Sequence, residues 1–193
     1  MDLSHKFFED MKACATLRSI PVARKLHAQL MSTGLNSSVF LQNHLINMYS
    51  NCGLIDDASR AFLEIEFPNV FSWNTMINGL ADSGRMREAE QLFGKMPERD
   101  SVSWNSMMSG YYHNGQPEDA IRVFVSMIQD CNCVPDSFSF SCVMKACASL
   151  GFVKLAFQLH GLAEKFQFGR DVSVESSIID MYIKCGALNF AER

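Results

Sequence analysis

The 193-residue sequence predicts an all-α fold, a right-handed superhelical solenoid of helix-turn-helix repeats. The first observation behind this prediction is a glycine that recurs every 31 to 36 residues, at positions 53, 84, 115, 151 and 186. The second is an alanine five residues after each glycine, at positions 58, 89, 120, 156 and 191. Two residue types that stay in register over five units are typical of stacked repeats, not of one globular core.

Each unit carries the patterns of two helices. The first helix has an apolar face, as at Leu45, Ile46, Met48 and Tyr49. The recurring glycine follows at the turn, where a left-handed backbone conformation caps a helix. The second helix has one apolar stripe at helical spacing, as at Ala58, Ala61, Phe62 and Ile65. We therefore expect at least ten helices in antiparallel pairs, no sheet, and a shared set of buried large side chains: Phe62, Phe93, Met96, Phe124 and Met127.

Charge and cysteine usage exclude several classes of protein. The net charge is −4 and the pI is near 5.7, which argues against a protein that holds nucleic acid mainly by its phosphates. No apolar run approaches the length of a membrane span, so we expect no membrane partner. The seven cysteines lack any zinc-binding spacing, so we expect no metal, no cofactor and reduced thiols.

Several runs of residues resemble the pentatricopeptide repeat family. Residues 73–79 are similar to the first helix of its repeats, and residues 88–97 to the second. Residues 145–147 and 158–160 resemble its long repeat variant. The mixed unit lengths resemble the plant subclass that alternates standard, long and short repeats. On this resemblance residues 4–193 form one array, with units 4–38, 39–69, 70–100, 101–136 and 137–171 and a partial unit 172–193.

The resemblance implies binding of single-stranded RNA, with one base for each repeat. In the family, the fifth and the last residue of a unit decide the base. Carried over to this sequence, the pairs are Asn43 with Asn69, Asn74 with Asp100, Asn105 with Asp136, and Ser141 with Asp171. The second residue of each unit packs against the base, which gives Phe40, Phe71, Val102 and Phe138.

Hydrogen-bonding chemistry supports these assignments. Uracil and guanine carry a ring N–H that an aspartate oxygen accepts, whereas cytosine and adenine carry a bare ring nitrogen to which an asparagine amide donates. A fifth-position asparagine suits a pyrimidine, and a serine leaves room for a purine. With the N-terminus toward the 5′ end, as in the family, units 39–69 to 137–171 should prefer C (or U), U, U and G. We expect the asparagines and aspartates to be solvent-accessible on the concave surface. For Asn74 and Asn105 the alternative is a helix-capping role.

The first unit does not follow this pattern, because it has Phe8 and Ser38 at the two positions. We expect it to cap the array. Two other functions remain as alternatives. One is a peptide-binding scaffold similar to tetratricopeptide repeats. The other is an enzyme, but the H-x-E and P-C-x-x-C motifs of a deaminase are missing, so we expect no catalysis and no small-molecule substrate. His27 and His160 occupy equivalent positions and are expected to be packing residues with one satisfied nitrogen.

The resemblance also carries expectations about the whole protein. Ala191 corresponds to Ala58, so the sequence stops early in a second helix, and we expect the chain to be part of a longer protein. We expect residues 187–193 to be frayed. The family implies action in mitochondria (our first choice) or chloroplasts, in RNA processing or C-to-U RNA editing, with other organellar editing factors as further partners.

Overall fold

The computed structural model describes residues 3–130 and 133–187, and within these ranges the chain forms eleven α-helices and no strand. In chain order they are α1 (Leu3–Leu17), α2 (Ile20–Ser32), α3 (Val39–Asn51), α4 (Ile55–Leu63), α5 (Val70–Asp82), α6 (Met86–Lys95), α7 (Ser101–His113), α8 (Pro117–Gln129), α9 (Ser137–Leu150), α10 (Val153–Lys165) and α11 (Val172–Lys184). A short 3-10 turn, Leu35–Ser37, precedes α3. The prediction of at least ten helices without a sheet is confirmed for this part of the chain. Ala191, and most of the segment expected to fray, lie outside it.

The helices fall into two compact parts, Met1–Glu98 and Arg99–Arg193, called here the N-terminal and C-terminal parts. In the N-terminal part, α3 packs between α1 and α5, and each of these helices contacts the helix that follows it. In the C-terminal part, α9 packs between α7 and α11 in the same manner, while α8 and α10 cover α9. The first helices of successive units therefore stand in a row within each part.

The helix starts and turns follow the repeat pattern. Helices α3, α5, α7, α9 and α11 begin at residues 39, 70, 101, 137 and 172, the first positions of the expected units. The recurring glycines have left-handed backbones, with φ between 69° and 78°, as the capping argument predicts. Gly79 has a different role, because a Cβ there would lie 2.3 Å from the Ser50 Oγ. Helices α3 and α5 can approach this closely only because that position has no side chain.

The predicted core is present, with one exception. Phe62, Phe124, Met96 and Met127 are buried, as are the repeated alanines at positions 58, 89, 120 and 156. Phe93 is only half-buried, so the prediction of full burial is wrong for this residue. It lies on α6, which within the N-terminal part packs chiefly on α5, whereas the helix of Phe62 packs on both α3 and α5.

Candidate functional site

The last residue of each expected unit is the N-cap of the helix that begins the next one. Asn69 caps α5, Asp100 caps α7 and Asp136 caps α9. The backbone N–H of the third helical residue donates to each side chain, at 2.9 Å for Asn69 Oδ1 and 2.8 Å for the two aspartates. Asp171 caps α11 in a similar way. A capping role was the alternative for Asn74 and Asn105, but the last-position residues have that role in the structure.

Three buried serines complete these caps and were missed in the sequence analysis. Ser72, Ser103 and Ser139 each accept a hydrogen bond from the backbone N–H of the capping residue, so each cap is reciprocal. Their hydroxyls also lie within 3.0 Å of the capping oxygens. The signal that could have found them is an Asn or Asp followed three residues later by Ser, which recurs at the start of three successive units.

The fifth-position asparagines are buried. Asn43, Asn74 and Asn105 expose only 4%, 6% and 8% of their surface, so the expectation that they are solvent-accessible is wrong. The physical reason is visible for Asn43 and Asn105. Each lies in a first helix where that helix packs against the first helix of the following unit, α3 against α5 and α7 against α9. Of the last-position residues, Asn69 and Asp100 are exposed and Asp136 is half-exposed.

Asn105 and Asp136 are joined directly. The Asn105 amide nitrogen donates to both carboxylate oxygens of Asp136, at 3.1 Å each, and its oxygen accepts from the Ser139 hydroxyl at 2.7 Å. Burial raises the pKa of Asp136, but hydrogen bonds from the Ser139 N–H, Asn105 and the Ser139 and Ser101 hydroxyls outweigh it, so the pKa lies below its ordinary 3.8. The carboxylate is therefore charged and held in a fixed orientation.

The equivalent site in the N-terminal part is less complete. The Asn43 Oδ1 is buried, and within the described residues no donor reaches it. Asn43 lines a groove of about 580 Å³ between α3 and α5, together with His44 and Phe71. A buried amide oxygen without a donor is costly, but this atom is itself covered, so a ligand N–H would reach it only after a shift of the neighbouring side chains.

The remaining pairs differ from this arrangement. Ser141 does not bond to Asp171 but directs its hydroxyl toward the Ser173 carbonyl oxygen at 3.5 Å. Asp171 accepts from the Ser173 hydroxyl and from the backbone N–H groups of Ser173 and Val174, and these bonds, the Ser173 hydroxyl first, lower its pKa. Asn74 and Asp100 belong to the N-terminal and C-terminal parts respectively.

The second-position side chains are bulky, apolar and exposed. Phe40, Phe71, Val102 and Phe138 expose 55%, 59%, 53% and 56% of their surface. Each stands in the first turn of a first helix, one residue after its first position. Single exposed apolar residues are common on proteins, but the same exposure at the same position of four units points to a shared ligand contact.

The histidines at equivalent positions are structural, as predicted. His27 Nδ1 is 2.7 Å from the Tyr49 hydroxyl, and His160 Nδ1 is 3.0 Å from the Tyr182 hydroxyl. Burial, together with the nearby Asp57 carboxylate, raises the pKa of Tyr49 to about 12. The tyrosine is therefore neutral near pH 7, and its hydroxyl ties the second helix of one unit to the first helix of the next.

Two further observations concern chemistry other than hydrogen bonding. Among the residues that the structure describes, no three His, Cys, Asp or Glu side chains cluster as metal ligands would, and no helix is long and apolar enough to cross a bilayer. Burial raises the pKa of the Cys142 thiol to about 11 and that of Cys147 to about 12. These thiols are protonated near pH 7 and poor nucleophiles.

The repeat pattern is that of a known family. The family model described as "PPR repeat family" matches residues 99–149. Models described as "PPR repeat" match residues 43–66, 67–97 and 138–168. These matches together cover more than half of the chain. The chain therefore belongs to the pentatricopeptide repeat family.

The curated relatives are plant proteins several times longer than the chain. Pentatricopeptide repeat-containing protein At2g13600 of Arabidopsis thaliana is 48% identical over 170 residues, which cover 88% of this chain and 24% of that protein. From the same organism, At3g53360, named mitochondrial, is 30% identical and At5g13270, named chloroplastic, is 26% identical. They match 94% and 95% of this chain and 19% and 20% of their own lengths. The chain thus spans about a quarter or less of these relatives.

Solved structures share the fold. The pentatricopeptide repeat protein PPR10, in complex with an 18-nt psaJ RNA element, matches with a TM-score of 0.73 and 17% identity over 96% of this chain and 28% of that one. The PPR domain of Arabidopsis thaliana protein-only RNase P 1, in complex with tRNA, matches with a TM-score of 0.65 and 16% identity over 92% of this chain and 95% of that one. These matches support an all-helical repeat solenoid.

Proposed function

We propose that the chain binds single-stranded RNA and that each unit from 39–69 to 137–171 contacts one base. The observation that carries this proposal is the repeated exposure of an apolar second-position side chain, beside a last-position Asn or Asp held at a helix start. An apolar side chain offers a surface to the face of a base, and a fixed polar group offers a partner to its edge. The repeat-family relatives and the RNA complexes of PPR10 and RNase P 1 support the same function.

The cap at Asn69 fixes which group of its amide faces a ligand. The Oδ1 accepts from the Ser72 N–H at 2.9 Å and from its hydroxyl at 3.0 Å, so the amide nitrogen remains to donate elsewhere. A donor at this point fits the bare ring nitrogen of cytosine. After a shift of the side chains that cover it, the unpartnered Asn43 Oδ1 would accept from the exocyclic amine of the same base. Uracil has an N–H and a carbonyl at these two places, so we propose that unit 39–69 prefers C over U.

Unit 101–136 offers a base a hydrogen-bond acceptor where unit 39–69 offers a donor. Asp136 presents only acceptors, and Asn105 orients its carboxylate by donating to both oxygens. An acceptor at this point fits the ring N–H of uracil. Asn105 thus acts by positioning Asp136, while the carboxylate contacts the base. By the same chemistry we propose U for unit 70–100 and G for unit 137–171.

For the protein as a whole, we propose a recognition role without catalysis. The unit lengths favour the plant subclass with standard, long and short repeats, and the chain would then be the RNA-binding part of an organellar RNA-processing or C-to-U editing factor. Mitochondrion or chloroplast is the proposed location, since relatives are named for both. Other editing factors are the proposed protein partners.

Titration with labelled oligonucleotides tests this function. We expect single-stranded RNA containing CUUG to bind more tightly than the same RNA in duplex form, and unlabelled basic or acidic peptides not to compete. Phe71→Ala should weaken binding by about five-fold or more, since losing a base–aromatic contact costs roughly 1–3 kcal/mol. Phe67→Ala removes an equally large exposed ring outside the second position and should leave affinity unchanged. Equal binding of duplex RNA, or displacement by peptide, would contradict the proposal.

A further inference from the structure

One residue in the first unit breaks the glycine pattern. Arg18 stands five residues before the buried Ala23, the same spacing that separates each recurring glycine from its alanine. Its φ is +50°, in the left-handed region that the five glycines occupy. A side chain with a Cβ is disfavoured in this conformation, and among the described residues other than glycine only Arg18 and Gln167 adopt a positive φ.

The Arg18 side chain lies at the proposed RNA-binding face. It lines the groove of about 580 Å³ between α3 and α5 that also contains Asn43 and Phe71. Arg18 is exposed and makes no ion pair within residues 3–130 and 133–187. Asp82 is the one carboxylate among the residues that line the described groove. A strained, unpaired guanidinium in a groove suits an anionic ligand group such as a phosphate.

An aromatic cluster adjoins this groove. His44 stands edge-on to both Phe8 and Phe40, with ring centroids 4.6 and 4.5 Å away, and the two phenylalanine centroids are 5.6 Å apart. The Lys12 ammonium lies 5.9 Å from the centroid of the Phe8 ring. Burial lowers the pKa of His44, which favours a neutral ring near pH 7.

The cluster opens onto a second groove, of about 390 Å³, lined by Phe8, Lys12 and His44. His44, Asn47 and Asn51 line both grooves, so the two form one continuous surface. A nucleic-acid strand that occupies the first groove would therefore extend directly over the rings of the second.

We propose that the first unit, 4–38, binds one additional nucleotide on the 5′ side of the base at unit 39–69 and does not select among bases. Phe8, Phe40 and His44 contact the base, and Arg18 and Lys12 bind adjacent phosphates. Phe8 occupies the fifth position, where a phenyl ring cannot hydrogen-bond to a base edge, so every base is accepted equally. This replaces the expectation that the unit only caps the array, and it rests on the proposed RNA binding.

The first experiment compares stability and RNA affinity in Arg18→Gly. Glycine relieves the left-handed strain, so the melting temperature should stay the same or rise. RNA affinity should fall about five-fold, and the slope of log K against log salt concentration should decrease by about 0.7, the value for one phosphate contact on a single strand. Arg18→Lys should keep most of the affinity. Lys154→Gln, which removes a positive charge from an exposed site on α10, should change neither the RNA affinity nor the salt slope. Unchanged affinity in Arg18→Gly, or parallel loss of stability and affinity, would overturn the proposal.

The second experiment varies the nucleotide 5′ to CUUG. Each of the four bases should increase the affinity of the wild-type chain over an abasic ribose by about five-fold or more, with less than about two-fold spread among them. Phe8→Ala should abolish the increase while binding of the abasic oligonucleotide persists. If the wild type binds CUUG but the added base does not increase the affinity, the extra nucleotide site is refuted while the proposed RNA binding stands. If CUUG itself is not bound, the proposed function fails as well.

Discussion

The last-position side chains cap a helix and, as proposed, contact a base, and in Asn69 these two roles fall to different atoms. In Asn69 the amide oxygen caps α5, and the amide nitrogen remains for the proposed contact with a base. In Asp136 one carboxylate oxygen accepts the capping N–H, and both oxygens are oriented by Asn105. The sequence identified these residues through the family resemblance. It did not show that Asn105 and Asp136 bond to each other, because that contact depends on how closely α7 and α9 pack.

A reciprocal exchange tests the base-reading role. Asn69→Asp replaces a donor with an acceptor and should shift preference at unit 39–69 from C toward U, by roughly 1–3 kcal/mol, the scale of a good base-edge contact. Asp136→Asn should shift unit 101–136 from U toward C. Both variants keep a good N-cap residue, so both should fold at the assay temperature with circular dichroism spectra like that of the wild type. Competition between C- and U-containing oligonucleotides measures the ratio of the two affinities. An unchanged ratio in two folded variants would count against a base-reading role of Asn69 and Asp136.

The low pKa of Asp136 gives a pH dependence of stability. A carboxyl whose pKa is lower in the folded state stabilises the fold above its unfolded pKa of about 3.8, and the contribution disappears as pH falls through the folded pKa. We expect wild type to be more stable than Asp136→Asn at pH 5, and the difference to shrink steadily below pH about 3.8. Urea unfolding of both proteins at several pH values measures it. A difference that stays constant down to pH about 2 would show that the charge is not involved.

Helices and turns are predictable from the sequence where one residue type fixes the backbone conformation. Gly53 shows this, since its left-handed conformation follows from its place between two apolar stripes. The burial of the fifth-position asparagines is not predictable in this way, because it depends on the rotation of each first helix relative to its neighbour. An asparagine in a helical pattern is ordinarily placed on the solvent side, and nothing local to Asn43 indicates that α5 covers it.

A pair of glycine substitutions tests the turn assignment. Gly53→Ala adds a Cβ that contacts nothing within 4 Å, so its whole effect comes from φ of +74°. We expect a loss of about 1–2 kcal/mol in the free energy of unfolding. Gly94→Ala also adds a Cβ into open space, but within α6, and should stabilise by about 0.5–1 kcal/mol. Chemical denaturation gives both values, and equal effects in the two variants would contradict the backbone explanation.

For the whole molecule, charge separates this chain from proteins that bind nucleic acid through phosphates. The net charge is −4 because 21 Asp and Glu outnumber 17 Lys and Arg, so the chain as a whole does not attract the phosphates of an RNA strand. We expect a shallow salt dependence, with log K falling by about 1–2 for each tenfold rise in salt, because each neutralised phosphate contributes about 0.7. Titrations between about 50 and 300 mM salt measure the slope. A slope near 5 would indicate phosphate-driven binding and contradict base-directed contact.

The repeat period was the part of the sequence that predicted most of the fold. Glycine and alanine in register place the helix pairs without reference to distant contacts. The period does not determine how much of each helix is buried by its neighbours. It therefore predicts the same burial for Phe93 and Phe62, although Phe93 is only half-buried. The predicted handedness of the superhelix likewise depends on small rotations between units that residue spacing does not encode.

The capping role of the last position limits which residues can stand there. Asp, Asn, Ser and Thr start a helix well, and among them Asp and Asn present opposite groups to a ligand. Their codons differ by a single nucleotide. On the proposed contact of one base with each unit, one point mutation would change the base that a unit prefers while the helix start is preserved. An array of such units would acquire a new RNA target through intermediates that keep their helix starts, so its target could change without a change of fold.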